Sequence, residues 1–208
     1  MTGDWALAHI QSIDAHINIA TCLTADGHLA SKETLDAIHQ TGQLMSQLFN
    51  TPVKNYDLPA LLNDMSERHG RIMSFEATKS FTFEQNNYPE QLSQQLKGLI
   101  KLGKSISYEQ YTQDLHIAHQ ARFELDRILQ QEIDILITPS AIGEAPKGLS
   151  QTGDPIFCRV WTLMGLPCIT LPLYKGPNQL PIGVQLIAGR GRDALLLSVA
   201  QKLMGHYK

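Results

Sequence analysis

The chain has 208 residues, with 17 Lys and Arg against 20 Asp and Glu; the formal charge of −3 excludes the basic footprint of a nucleic-acid-binding protein. Hydrophobic residues make up 43% and charged residues only 18%, against about 25% charged in an average domain, so a sizeable core can form and global disorder is excluded. No window approaches ~18 consecutive apolar residues, which excludes a membrane-spanning helix. One large domain is the first expectation and two small ones the second, with no tandem repeat.

Near the start, Asp4 and His9 interrupt the apolar residues and no basic region precedes them, so no signal peptide is expected. Cys22, Cys158 and Cys168 form no CxxC pair and leave at least one thiol unpaired. That suits free thiols in a reducing cytoplasm.

Residues 1–30 carry no clear cap or turn signal before Asp26-Gly27 and are assigned no element, although His9, His16 and His28 are scattered through them. Ser31 has the chemistry of an N-cap. The apolar positions Leu35, Ile38, Leu44, Met45 and Leu48 behind it predict a helix to Phe49, ended by Asn50, Pro52 and Asn55. Leu58, Leu61, Leu62 and Met65 predict a second helix stopped by Gly70, and Ile72 to Phe83 a third. A fourth starts at Pro89, runs through Leu92, Leu96, Leu99 and Ile100, and closes at Gly103.

Ser107 and Gln110 have capping-box spacing and open the longest predicted helix, in which Tyr108, Tyr111, Leu115, Ala118, Ala121, Leu125 and Ile128 recur every three or four positions. Ile133 to Thr138 is an apolar run too short for a helix and is broken by Pro139, the pattern of a buried strand. Residues 139–153 read as a Gly/Pro-rich loop. Asp154 as N-cap and Pro155 at the first helical position open a short helix from Ile156 to Met164. Cys168 to Leu173 and Ile182 to Ala188 are two more strands, joined through Gly176, Pro177 and Asn178 by a hairpin or a longer crossing loop. An amphipathic helix with Leu195, Leu196, Val199, Ala200 and Leu203 closes the chain, with Asp193 at its positive end.

Four constellations invite a chemical interpretation. Gly98 to Ser105 fits the G-x-x-x-x-G-K-[ST] phosphate loop letter for letter, but such a loop must leave a buried strand and enter a helix. Here the preceding residues are polar and helical in period, so nucleotide binding is disfavoured. His116 and His119 sit one helical turn apart but supply too few ligands for a metal. Asp114 and His116 fall off the apolar stripe, as on a solvated face. Ser140 follows a strand without a G-x-S-x-G elbow. Cys158 and Cys168 lie among apolar residues, where a thiol stays protonated.

Six ordered blocks carry a family resemblance. They are Asp134-Ile135-Leu136-Ile137-Thr138-Pro139; Ala145-Pro146; Gly153-Asp154 with Phe157 and Trp161; Gly165-Leu166-Pro167-Cys168-Ile169-Thr170-Leu171-Pro172; Leu180-Pro181-Ile182-Gly183-Val184-Gln185-Leu186-Ile187; and Arg192-Asp193-Ala194-Leu195-Leu196. In these, and in Arg71 to Glu76 and Ser107 to Tyr111, the chain resembles the C-terminal region of the amidase signature family from roughly Ser31 onward. Thr162 stands where that family usually has Asn after Trp161. Family members hydrolyse amides with a Ser, a second Ser on a cis peptide and a Lys, within a Gly/Ser-rich signature in their N-terminal half. This chain has no Gly-Gly or Ser-Ser pair and nothing like that signature.

The resemblance implies an α/β fold in which helices accompany strands of a mixed sheet, with residues 31–208 forming an incomplete amidase-like region. It implies cleavage of a carbon–nitrogen amide bond through an acyl-enzyme, a small-molecule amide as substrate, and no metal or organic cofactor. No catalytic residue is assigned within this chain. A separate N-terminal amidase half or self-association would complete it, and the alternative is a non-catalytic pseudo-enzyme or binding subunit. Substrate-binding candidates are Asp154, Phe157, Cys158 and Trp161, because a capped helix beside a Gly/Pro loop at a strand end is where an α/β sheet opens to ligand. The competing account is that the same residues only pack the helix on the sheet.

Overall fold

The computed structural model describes residues 16–207. Its elements are β1 (Ile19–Thr21), α1 (Lys32–Phe49), β2 (Val53–Asn55), α2 (Met65–Ser80), α3 (Thr82–Asn87), α4 (Gln94–Ser105), α5 (Tyr108–Gln131), β3 (Ile135–Pro139), α6 (Ile156–Met164), β4 (Cys168–Lys175), β5 (Pro181–Ala188) and α7 (Asp193–His206). Serines start three of the helices: the hydroxyls of Ser31, Ser93 and Ser107 accept the backbone N–H of Thr34, Leu96 and Gln110 at 3.2, 3.2 and 3.1 Å. Each such cap is worth about 1 kcal/mol. Gly165, left-handed at φ 68°, closes α6, where a residue with a Cβ would be strained.

The strands form one five-stranded mixed sheet in the order β2-β1-β3-β5-β4. β1 pairs parallel with both β2 and β3, whereas β5 is antiparallel to β3 and β4. The sheet therefore holds two strands beyond the three expected from sequence. β1 lies in the segment that carried no sequence signal and sits between β2 and β3. Both missed strands span only three residues, too few for a period to show. Residues 1–15, with His9, lie outside the described residues.

Strand alternation splits the core in two. Ile19, Ile135, Ile137, Val184 and Leu186 point to one face, under Ala37, Ile38 and Met45 of α1 and Leu196, Val199 and Leu203 of α7. Ala20, Leu136 and Ile187 point to the other, under Leu125, Ile128 and Leu129 of α5 and Val160, Trp161 and Met164 of α6. Burial on both faces is why β3 reads as an unbroken apolar run. At β4 only one side is covered: Leu171 and Leu173 are buried, while Cys168, Thr170 and Pro172 on the other side are exposed.

Several boundaries differ from expectation, each for a tertiary reason. Gly70 does not stop a helix, since α2 runs through it, and the residues before Met65 form a short 3-10 turn, Ala60–Leu62. Pro89 opens another 3-10 turn, and α4 begins after Ser93. Gly103 lies inside α4, where α2 presses on it: a Cβ there would sit 1.9 Å from the Ser74 carbonyl oxygen. The phosphate-loop letters thus fall within one continuous helix, with no strand before them. Pro139 ends β3 from within, paired with Val184.

Asp114 is the largest departure. It shares the buried stripe of α5 with Ala118, Ala121, Leu125 and Ile128 instead of facing solvent. Arg71 donates to it from Nε and Nη2 at 2.7 and 2.9 Å, and Arg68 donates from Nη1. Those bonds hold its carboxyl below the ordinary carboxylate range, with Arg71 the largest cause. His116 and His119 are exposed on the same helix. Among the described residues no group of three His, Cys, Asp or Glu could hold a metal ion, and no helix is long and apolar enough to cross a membrane.

Candidate functional site

A ligand crevice in an α/β sheet opens at the carboxyl ends of strands where the strand order reverses. β1 is such a place, because the chain goes on from it to β2 on one side and later to β3 on the other. Beyond β3 lies the Gly/Pro-rich loop, and its far end leads into α6.

A polar row crosses the sheet beneath the start of α6. Thr138, Gln185 and Thr170 lie directly opposite one another on β3, β5 and β4. Thr138 and Gln185 are buried and Thr170 is exposed, so the row runs from the core to the open side of β4. Buried amides and hydroxyls must find partners. Gln185 Nε2 donates to Thr138 Oγ1 at 3.2 Å and to the Phe157 carbonyl at 3.4 Å. The Cys158 thiol donates to Gln185 Oε1 at 3.9 Å and to the Ser140 carbonyl at 3.6 Å. Ser140 in turn donates its hydroxyl to the Gly183 carbonyl at 2.9 Å, and Gly183 leaves room for it, since a Cβ there would lie 2.5 Å from Ser140 Oγ.

These bonds define the chemistry available. Burial pushes the Cys158 thiol up, so at neutral pH it stays a protonated donor. The Ser140 proton is held by a carbonyl instead of a base, which leaves the hydroxyl unactivated. The cluster is equipped to present oxygen and amide dipoles.

The four residues singled out from sequence separate here. Cys158 and the carbonyl of Phe157 join the polar row through Gln185. The side chains of Phe157 and Trp161 are buried at 2% and 1% exposure, and the Trp161 indole N–H finds no partner among the described residues. Asp154 makes no cap hydrogen bond. It pairs instead with Arg159 one turn into α6, at 2.8 Å, while α6 itself begins after Pro155. Sequence reasoning missed Thr138 and Gln185, although both interrupt otherwise apolar strands, and a polar side chain in a doubly buried strand is the signal that marks such a row.

The loop between β3 and α6 is held at Ile142, whose carbonyl accepts the Ser31 backbone N–H at 2.7 Å and the Thr34 hydroxyl at 3.0 Å, and again at Glu144. The Glu144 carboxylate accepts the backbone N–H of Asn178 at 3.0 Å and of Leu180 at 3.0 Å, and the Asn178 side-chain amide at 2.7 Å. A Cβ on Gly176 would collide with that carboxyl group at 2.5 Å. On the opposite face of the sheet a cleft of about 850 Å³ opens under α1, beside Thr21, Val53 and Asn55.

Comparison with known proteins adds to this geometry. The family model described as Amidase matches residues 16–197. The mitochondrial glutamyl-tRNA(Gln) amidotransferase of Dictyostelium discoideum has a subunit that is 33% identical over 129 residues, 57% of this chain and 23% of the relative. The putative amidase AmiB2 of Mycobacterium tuberculosis is 24% identical over 185 residues, 83% of this chain and 39% of the relative. A crystal structure of an amidase superposes with a TM-score of 0.81 at 20% identity, covering 95% of this chain and 47% of the other. The chain therefore spans less than half the length of each of these relatives.

Proposed function

The chain belongs to the amidase family, and on that premise we propose that it supplies the C-terminal part of an amide-hydrolysing site, its strand-end cluster facing the substrate while another polypeptide segment brings the nucleophile. One observation carries this reading: Ser140 donates to the Gly183 carbonyl, Cys158 to the Ser140 carbonyl and Thr138 to the Pro139 carbonyl, and none of these three donates to a base. An acyl-transfer nucleophile needs the opposite arrangement, with its proton pointing at a general base about 3 Å away.

The uncovered side of β4 supports the same reading, since Cys168, Thr170 and Pro172 offer a sheet surface on which further structure can pack. Substrate contact is assigned to Cys158 and the rim around Asp154, with Phe157 and Trp161 forming the rigid wall behind them. The substrate class is a small carboxamide. Free thiols at Cys22, Cys158 and Cys168 suit a reducing compartment, and the proposal places the chain in the cytoplasm.

The test is ammonia release from a carboxamide. The chain alone is expected to give none, and mixing it with the N-terminal half of a matching amidase is expected to give turnover. Hydrolysis by the chain alone that disappears in Ser140→Ala would overturn the proposal.

A further inference from the structure

We propose that the cleft under α1 is a binding site for a small molecule with a protonated amine on a short apolar body. Its volume of about 850 Å³ lies within the roughly 300–1,000 Å³ of small-molecule sites. It opens where the parallel strands β1 and β2 end, with Thr21 and Asn55 paired across them.

The lining sets the ligand class. Ile38 and Val53 provide an apolar floor, and among the described residues that line the cleft Asp57 is the one carboxylate, His39 the one imidazole, and there is no Lys or Arg. A cation is therefore attracted and an anion repelled. Asn55 adds direction: its Oδ1 accepts the Thr21 hydroxyl at 2.5 Å, which leaves its amide N–H groups and the Thr21 oxygen free for a ligand.

Gly42 lies over the floor of the cleft. It sits in the interior of α1, where glycine destabilises a helix relative to alanine. A Cβ at that position would meet Thr21 Cγ2 at 3.4 Å and Val53 Cγ1 at 3.5 Å, ordinary contacts that alanine could make. A side chain larger than alanine at this position would enter the space between α1 and these strands.

The test reads binding and not amide hydrolysis, so either reading can fail alone. Hexylammonium and hexanoate share a chain length and differ in charge. Titrating each into the intact protein by NMR is expected to show saturable millimolar binding of hexylammonium at residues of the cleft, with hexanoate weaker by about tenfold or more. Gly42→Leu, which fills the floor, is expected to abolish binding. Should that variant fail to fold, Asp57→Asn at the exposed rim is expected to remove the preference for the cation. Equal binding of the two probes, no saturable binding, or binding that survives both substitutions would overturn the proposal.

Discussion

Gly103 and Ser74 meet backbone against side-chain space: a Cβ on Gly103 would lie 1.9 Å from the carbonyl oxygen of Ser74, where α4 crosses α2. Gly103→Ala must push the two helices apart, and overpacking of that kind costs about 3 kcal/mol. Gly98, five positions earlier on the same helix, has nothing within 4 Å of its Cβ position. Gly98→Ala is expected to stabilise by roughly 0.5–1 kcal/mol. Denaturant melts of the two variants should shift in opposite directions, and equal shifts would contradict the packing described.

The same helix runs unbroken through Lys104 and Ser105, so its backbone N–H groups are engaged in helical bonds and cannot wrap a phosphate. Calorimetry with Mg-ATP is expected to show no heat of binding. Micromolar binding that is lost in Lys104→Ala would contradict both the fold and the dismissal of the motif.

Asp114 contributes stability in a defined pH direction. Its carboxyl is held low by Arg71 first and Arg68 second, so the unfolded chain binds the proton more readily than the folded one. The contribution is fully present above the ordinary carboxylate value of about 4 and is lost as pH falls from there through the depressed folded value. Asp114→Asn leaves two guanidinium groups without their shared carboxylate. It should cost roughly 3 kcal/mol at neutral pH, toward the lower end for a broken buried pair because both arginines keep some solvent access. The difference between wild type and variant should shrink on acidification, and a difference independent of pH would contradict the assignment.

Much of this architecture was legible because it is local. Ser31 and Ser107 cap what their chemistry says they cap, and the shortness of the run ending at Thr138 marks a strand. What escaped depends on partners distant in sequence. Asp114 looks solvated until Arg68 and Arg71, 46 and 43 residues away, are brought to it. Gly70 and Gly103 look like helix stops because sequence does not show whether the chain is held straight by a neighbouring helix. At the candidate site, the loop and the short helix after Asp154 could be read. The row of Thr138, Gln185 and Thr170 was missed: Thr138 and Gln185 each interrupt an apolar strand, but their alignment with Thr170 exists only in the register of three strands. The cleft under α1 depends likewise on the pairing of two three-residue strands.

Glu144 fastens the loop that leads to α6. Hydrogen bonds to a charged acceptor are worth about 1.5–3 kcal/mol each, so Glu144→Ala should open the loop and speed trypsin cleavage at exposed Lys147 by about tenfold or more. Gly176→Ala, which drives a methyl group into the same carboxylate, should have the same effect. Unchanged cleavage in both variants would show that Glu144 does not hold this part of the loop and that the Ile142 contacts with Ser31 and Thr34 suffice.

The uncovered side of β4 predicts association. Exposed strand surface with free neighbours recruits further strands or hydrophobic dye. Sedimentation of the chain alone should show self-association that Thr170→Lys reduces, since a charge on an edge strand opposes pairing. A dye-silent monomer would contradict it.

The most direct test of the central claim locates the acyl group. A reactive p-nitrophenyl ester is added to a mixture of this chain and a matching N-terminal amidase half, and both polypeptides are weighed intact by mass spectrometry. The acyl mass is expected on the N-terminal half alone, with this 23.2 kDa chain unmodified. Stoichiometric acylation of this chain at Ser140 or Cys158 would contradict the claim.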